Sequence, residues 1–134
     1  MKKLQVQTSR RTEMVDITGE IEEKIAAEGV SEGICYIFIP HTTAGITVNE
    51  GADPSVRRDI LHEIDKIVPL EDGYHHTEGN AAAHIKAALV GPSLMVFIEG
   101  GRILLGTWQS LYFCEFDGPR RREVWMKIQD HGRP

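Results

Sequence analysis

In the stretch IPHTTAGITVNEGADPSVRRD, residues 39–59, an apolar run gives way to His41, Thr42, Thr43, Asn49, Glu50, Asp53, Arg57 and Arg58. Imidazole, hydroxyl, carboxylate and guanidinium groups at this density are what metal binding, proton transfer or anion capture require. Farther along, His76 falls in a turn-rich segment and His84 in an alanine-rich one. Three histidines carried on separate elements can form the open three-ligand zinc site used in catalysis, leaving the fourth position for water or substrate. Taken singly, each reads more readily as a hydrogen-bonded structural residue than as a metal ligand. The alanines around His84 weigh the other way, because small neighbours let a ligand approach an imidazole closely. His62 reads as a helix-flank residue, and His75 and His131 receive no role.

Glu50, Asp53 and Glu78 are the acidic candidates. Glu50 and Asn49 close a short strand beside a helix start, a place suited to a general base or to a carboxylate supporting a histidine. Asp53 reads first as the cap of that helix, which does not exclude a second role. Arg57 and Arg58 fall in the helix's first turns, where positive charge opposes the dipole, so a carboxylate or substrate phosphate would relieve their placement. GTWQ, residues 106–109, interrupts two apolar runs with a glycine, a hydroxyl, an indole and an amide. Glycine inside a strand pattern marks a bulge or close backbone approach, and Thr107 and Gln109 need partners if buried. Trp108 reads most simply as core. PRRRE, residues 119–123, reads as a solvated hairpin tip or as an anion site.

Strands and helices must position these groups. LQVQTS opens the chain as a strand with Leu4 and Val6 on one face. Asp16 can cap a helix in which Ile17, Ile21 and Ile25 recur every four residues, with Gly29 as its stop. GICYIFIP is apolar on both faces, which predicts a central strand covered on each side by helices, another sheet or a neighbouring subunit. GITVNE follows as a strand. ADPSVRRDILHEIDKIV then reads as a helix with Asp53 at the cap, Pro54 at the first position and a stripe of Val56, Ile60, Ile64 and Ile67. Asn80 caps a short helix ended by Gly91. From Ser93 onward four strands are expected: SLMVFIE, GRILLGTW, QSLYFCEF and RREVWMKIQ. The sum is an α+β domain with an antiparallel or mixed sheet of six to eight strands and about three helices.

The chain has 134 residues, 41% hydrophobic and 26% charged, as expected of one globular domain. A formal net charge of −5 argues against broad nucleic-acid binding, which depends on neutralising phosphates. The opening MKKLQVQTSRR lacks an apolar signal region, and no run approaches the roughly 20 residues that span a bilayer. A cytoplasmic protein with no membrane partner is expected. Cys35 and Cys114 sit in apolar stretches and read as buried thiols.

Three blocks, PHTTAGITVNEGADPSVRRD, YHHTEGNAAAHIKAALVGPSL and GRILLGTWQSLYFCEF, closely resemble those of the YjbQ-like family, also called secondary thiamine-phosphate synthases, over nearly the whole chain. The segment from Ser93 through Leu111, with Gly101 ahead of GTWQ, looks like that family's signature. The resemblance implies an α+β fold of its own class, a homotrimer, and an active site holding a metal or anion near the family's histidines. The matching positions are His41 with Thr42 and Thr43, Asn49 with Glu50, Asp53, Arg57 with Arg58, His76, Glu78 with Gly79, His84, and Gly106 through Gln109. The family has a histidine two positions after an aromatic, so Tyr74 points to His76 rather than His75. It commonly carries a short insertion before the alanine-rich helix that this chain lacks.

The attached activity joins hydroxymethylpyrimidine diphosphate to thiazole phosphate with loss of pyrophosphate. Such a condensation needs cationic groups or a metal at the leaving pyrophosphate and an aromatic platform for the pyrimidine. Arg57, Arg58 and Arg102 are candidates for the first and Trp108 for the second. The expectation is a metal-assisted enzyme acting on a small phosphorylated metabolite. Its divalent metal, zinc or else magnesium with a diphosphate, is held by His41, His76 and His84. Two alternatives stand beside it: a metal-dependent phosphate-ester hydrolase, and a non-catalytic homotrimeric assembly module whose histidines are structural.

Overall fold

Period-two alternation of apolar residues builds two antiparallel sheets in the structure, a computed structural model that describes residues 1–132. In chain order the elements are β1 (Lys2–Gln7), β2 (Glu13–Asp16), α1 (Thr18–Glu28), β3 (Glu32–Phe38), β4 (Ala44–Glu50) and α2 (Pro54–Ile67). These are followed by α3 (Ala81–Val90), β5 (Ser93–Glu99), β6 (Arg102–Leu104), β7 (Gln109–Glu115) and β8 (Arg121–Asp130). The larger sheet runs β1-β8-β3-β5-β6 and the smaller β2-β7-β4. The α+β class and the three expected helices are present, with eight strands among the described residues. No helix among them is long and apolar enough to cross a membrane.

The sheets pack face to face. Cys35, Ile37, Val96, Ile98, Val124 and Met126 from the larger sheet meet Ile46, Leu111 and Phe113 from the smaller, and α1 adds Ile21 and Ile25. A second apolar layer lies on the outer face of the small sheet, where Met14, Tyr112 and Cys114 pack under Ala83 and Ala87 of α3 and Ile60, Leu61 and Ile64 of α2. Both cysteines are free, and burial pushes their thiols up to about 11 at Cys35 and about 12 at Cys114.

Several local expectations hold. Gly29 ends α1 in the left-handed region at φ 67°, and Asp53 caps α2, its side chain accepting from Ser55 N at 2.9 Å. Others change. Residues 13–16 form β2 and Ile17 takes the cap position of α1, so Asp16 closes a strand, although its carboxylate still accepts from Thr18 N at 3.0 Å. Asn80 occupies the cap position of α3 without a side-chain cap bond, its amide donating to Asp117 Oδ2 at 2.9 Å. Ile67, expected on the buried stripe of α2, is 64% exposed. GRILLGTW is strand only over Arg102–Leu104. β3 is central as expected, but Tyr36 and Phe38 on its outward face are each 46% exposed.

Candidate functional site

Strand β4 separates the predicted residues into two groups. Its first residue, Ala44, pairs with Glu115 and its last, Glu50, with Gln109, so the ends lie about 20 Å apart at strand rise. His41, Thr42 and Thr43 precede the strand. Asn49, Glu50, Asp53, Thr107, Trp108 and Gln109 gather past its far end.

At that far end the polar groups are largely spent on backbone. Glu50 Oε2 accepts from Ala52 N at 2.8 Å and Asn49 Oδ1 from Glu50 N at 2.8 Å. Gln109 Oε1 accepts from Gly106 N at 2.7 Å, and Gly51 N donates to Trp108 O at 2.8 Å, stitching the two loops together. Trp108 is 65% exposed, so the core reading fails because its residue sits on a turn between strands. The hydrogen bonds from Ser55 hold the Asp53 carboxyl below the usual range, the signature of a cap.

The arginines do not converge on the histidines. Arg57 donates to Met14 O and to Tyr112 Oη, each at 3.3 Å, and lies 4.8 Å over the Tyr112 ring. Tyr112 Oη in turn donates to Glu50 O at 2.8 Å. Arg57 thus braces α2 against the small sheet. Arg58 is exposed, and Arg102, on the edge strand β6, reaches Glu22 of α1 at 3.6 Å. The cluster at 119–123 is no solvated tip throughout. Arg122 points between the sheets and is 3% exposed, because the alternation along β8 puts it on the same face as Val124 and Met126.

Arg122 anchors a buried network at the His41 end. Its Nε donates to Glu115 Oε1 at 2.9 Å, its Nη2 pairs with Glu115 Oε2, and Nη2 also donates to Thr43 Oγ1 at 2.8 Å. Thr8 Oγ1 and Asp117 N donate to the same carboxylate at 2.8 and 3.0 Å. Burial alone would raise Glu115, but these donors outweigh it and hold the carboxyl below its ordinary range. Beside the network, His41 Nε2 accepts from Glu123 N at 2.9 Å. A neutral imidazole accepting through Nε2 carries its proton on Nδ1, so His41 has no free lone pair for a metal in this arrangement. Burial, reinforced by the Arg122 charge, holds it below the usual imidazole value.

The other two histidines do meet. The His76 and His84 rings stand edge to face, 5.2 Å between centroids and 81° between planes, with Glu78 Oε2 3.7 Å from His76 Nε2. Among the described residues, no group of three or more His, Cys, Asp or Glu is placed to hold a metal ion. Of the three histidines expected to hold a metal, His76 and His84 come together, while His41 is engaged by Glu123 N.

What does assemble is a run of cavities around α3 and the 69–80 loop. His84 and His41, with Thr42, line one of about 310 Å³. His84 with His75, His76 and Tyr74 lines another of about 400 Å³. Tyr74 and His76 continue into a third of about 470 Å³, which shares Arg11 and Leu70 with a fourth of about 330 Å³ lined by Lys86, Asp65 and Asn80. Tyr74 Oη donates to Pro69 O at 2.5 Å and ties residues 69–74 of the loop together. Lys86, Arg11 and Glu115 were not among the predicted residues, and Arg122 was read only as part of the 119–123 cluster. The available signals were a lysine on the alanine face of α3 and charges at inward positions of β7 and β8.

Residues 2–131 match the model of the family described as UPF0047 protein YjbQ-like. UPF0047 protein YugU of Bacillus subtilis is 50% identical over 129 residues, covering 96% of this chain and 98% of its own. A UPF0047 protein of Methanocaldococcus jannaschii is 52% identical over 126 residues, covering 94% and 91%. A crystal structure from Clostridium acetobutylicum, of an uncharacterized conserved protein of the yjbq/upf0047 family, superposes with TM-score 0.94 at 50% identity over 96% of this chain and 100% of that one. A conserved hypothetical protein from Thermus thermophilus gives 0.91 at 41% identity over 96% and 100%.

Proposed function

The chain belongs to the YjbQ-like UPF0047 family, and we propose that within it this protein is a cytoplasmic enzyme acting on a small phosphorylated metabolite bound in the groove around α3. The observation that carries the reading is the place of His84. It forms a wall of two adjoining cavities and meets His76 edge on at 5.2 Å. Both side chains are reachable from solvent, and an imidazole can donate a proton through one ring nitrogen and accept one through the other.

The reaction proposed is thiamine-phosphate synthase-like. The bond between the pyrimidine methylene carbon and the diphosphate oxygen breaks with its electrons going to pyrophosphate, and the thiazole nitrogen bonds to that carbon. His84 or His76 protonates the departing pyrophosphate, while Tyr74 offers a flat surface beside them. With two imidazoles present and His41 engaged at Nε2, no step is assigned to zinc or magnesium. The test supplies both precursors to full-length protein and measures pyrophosphate release and the joined product. Turnover abolished by His84→Asn, at unchanged melting temperature, is the expected result. Release of phosphate from one precursor alone would replace the synthase with a phosphate-ester hydrolase.

A homotrimer completes the proposal. On the outer face of the large sheet, Ile34, Phe97 and Leu104 form one cross-strand row, Tyr36 and Met95 a second, and Trp125 stacks on Phe38 at 6.0 Å in a third. Phe97 is 50% and Leu104 51% exposed, a patch too apolar for a monomer's surface. Lys3 and Lys127 flank it on one side, while Glu32 and Glu99 face each other at one end. A head-to-tail copy sets opposite charges together, and a head-to-tail contact whose rotation closes makes a ring.

A further inference from the structure

We propose that the cavity between α2 and α3 is an anion site for the phosphate or diphosphate end of a small metabolite, held by Lys86 and Arg11. The Lys86 side chain is only 6% exposed, on the face of α3 that carries Ala83 and Ala87 against the small sheet. Burying an ammonium there costs solvation that a single partner does not restore. Its ion-pair partner, Asp65 of α2, is itself 55% exposed and takes one of the three ammonium donors. The Phe116 ring lies 6.0 Å away and adds attraction without accepting a further conventional hydrogen bond.

The second cation comes from the β1–β2 loop. Arg11 lines the same cavity of about 330 Å³ and is 3.9 Å from Asp117, a carboxylate already taken up by Arg120 at 3.2 Å and Asn80 at 2.9 Å. Its guanidinium is thus loosely held and presents the planar fork that suits phosphate oxygens. Lys86 and Arg11 against Asp65 leave one excess positive charge at the wall. Arg11 and Leu70 also line the adjoining cavity that reaches His76, so an anion seated at Lys86 lies at the head of the groove leading to the histidines. The predicted phosphate ligands Arg57 and Arg102 are committed elsewhere, to Tyr112 and Glu22.

As the substrate's anchor this site rests on the reading above; its test does not, because it reads binding and not turnover. Calorimetric titration of the full chain with pyrophosphate, phosphate and acetate is the experiment. Saturable pyrophosphate binding is expected, weakened about tenfold or more by Arg11→Gln, a change that should leave the melting temperature in place because Arg11 is exposed. Lys86→Met should abolish binding, and Asp65→Asn should tighten it by removing the competing charge. A simple Lys86–Asp65 strut between helices predicts no binding in any of these proteins. Absence of saturation in the parent, acetate bound as tightly as pyrophosphate, or affinity untouched by Arg11→Gln would each overturn the assignment. Pyrophosphate binding here by a protein without turnover would keep the site and remove the histidine chemistry.

Discussion

The imidazole of His41 explains more about stability than about metal. Its folded form is held below the ordinary 6.5, first by burial and then by Arg122. As pH falls, the unfolded chain therefore takes up that proton before the folded one does, and stability present at neutral pH is lost below about 6.5. Glu115 is also held low, despite burial, by Arg122, Asp117 N and Thr8, so its contribution persists to lower pH and disappears as pH falls through its folded value, below the ordinary 4.5. Thermal melts between about pH 7 and pH 5 should show the first loss in the parent and a flattened profile in His41→Gln, whose amide oxygen can still accept from Glu123 N. A parallel pH dependence in both would contradict this account. Arg122→Met leaves the Glu115 carboxylate between the sheets without its cation and should cost about 3–5 kcal/mol in denaturant unfolding. Adding Glu115→Leu should return much of it.

Among the elements, α2 shows why a carboxylate can look catalytic and be a cap. Asp53→Ala should lower stability by about 1 kcal/mol in urea unfolding, with turnover per folded molecule retained. Loss of turnover at full stability would return Asp53 to the site. Helix and strand identities were readable because the caps, stops and alternation at Asp53, Gly29 and β8 are local signals. β2 was not, since four residues of strand carry too little pattern to announce themselves. Convergence was not readable either. His76 and His84 come from separate segments, and their meeting depends on how the 69–80 loop folds, which no residue spacing encodes. The burial of Arg122 was encoded, two positions before Val124 on an inward-facing register, but a run of three arginines masked it. Gly45 belongs to the same lesson: a Cβ there would come within 2.7 Å of Gly91 O, the carbonyl accepting from Ile46 N, so glycine lets the end of α3 sit against β4.

For the whole molecule, the exposed apolar rows on the outer face of the large sheet are where the proposed trimer is tested. Light scattering should give three times the chain mass, and Phe97→Lys, in the middle of the exposed apolar rows, should reduce it to that of one chain. A monomeric parent would remove the trimer and leave that face unexplained.

The central claim, that the groove around α3 is a catalytic site built on His84, is tested most directly by one assay. Pyrophosphate release is followed with hydroxymethylpyrimidine diphosphate and thiazole phosphate supplied together to parent and His84→Asn, with melting temperatures measured alongside. Release coupled to product is expected in the parent, at least a hundredfold lower in the variant, about what loss of a general acid produces, with both proteins equally folded. Equal release by the two proteins, or none by the parent, would contradict it.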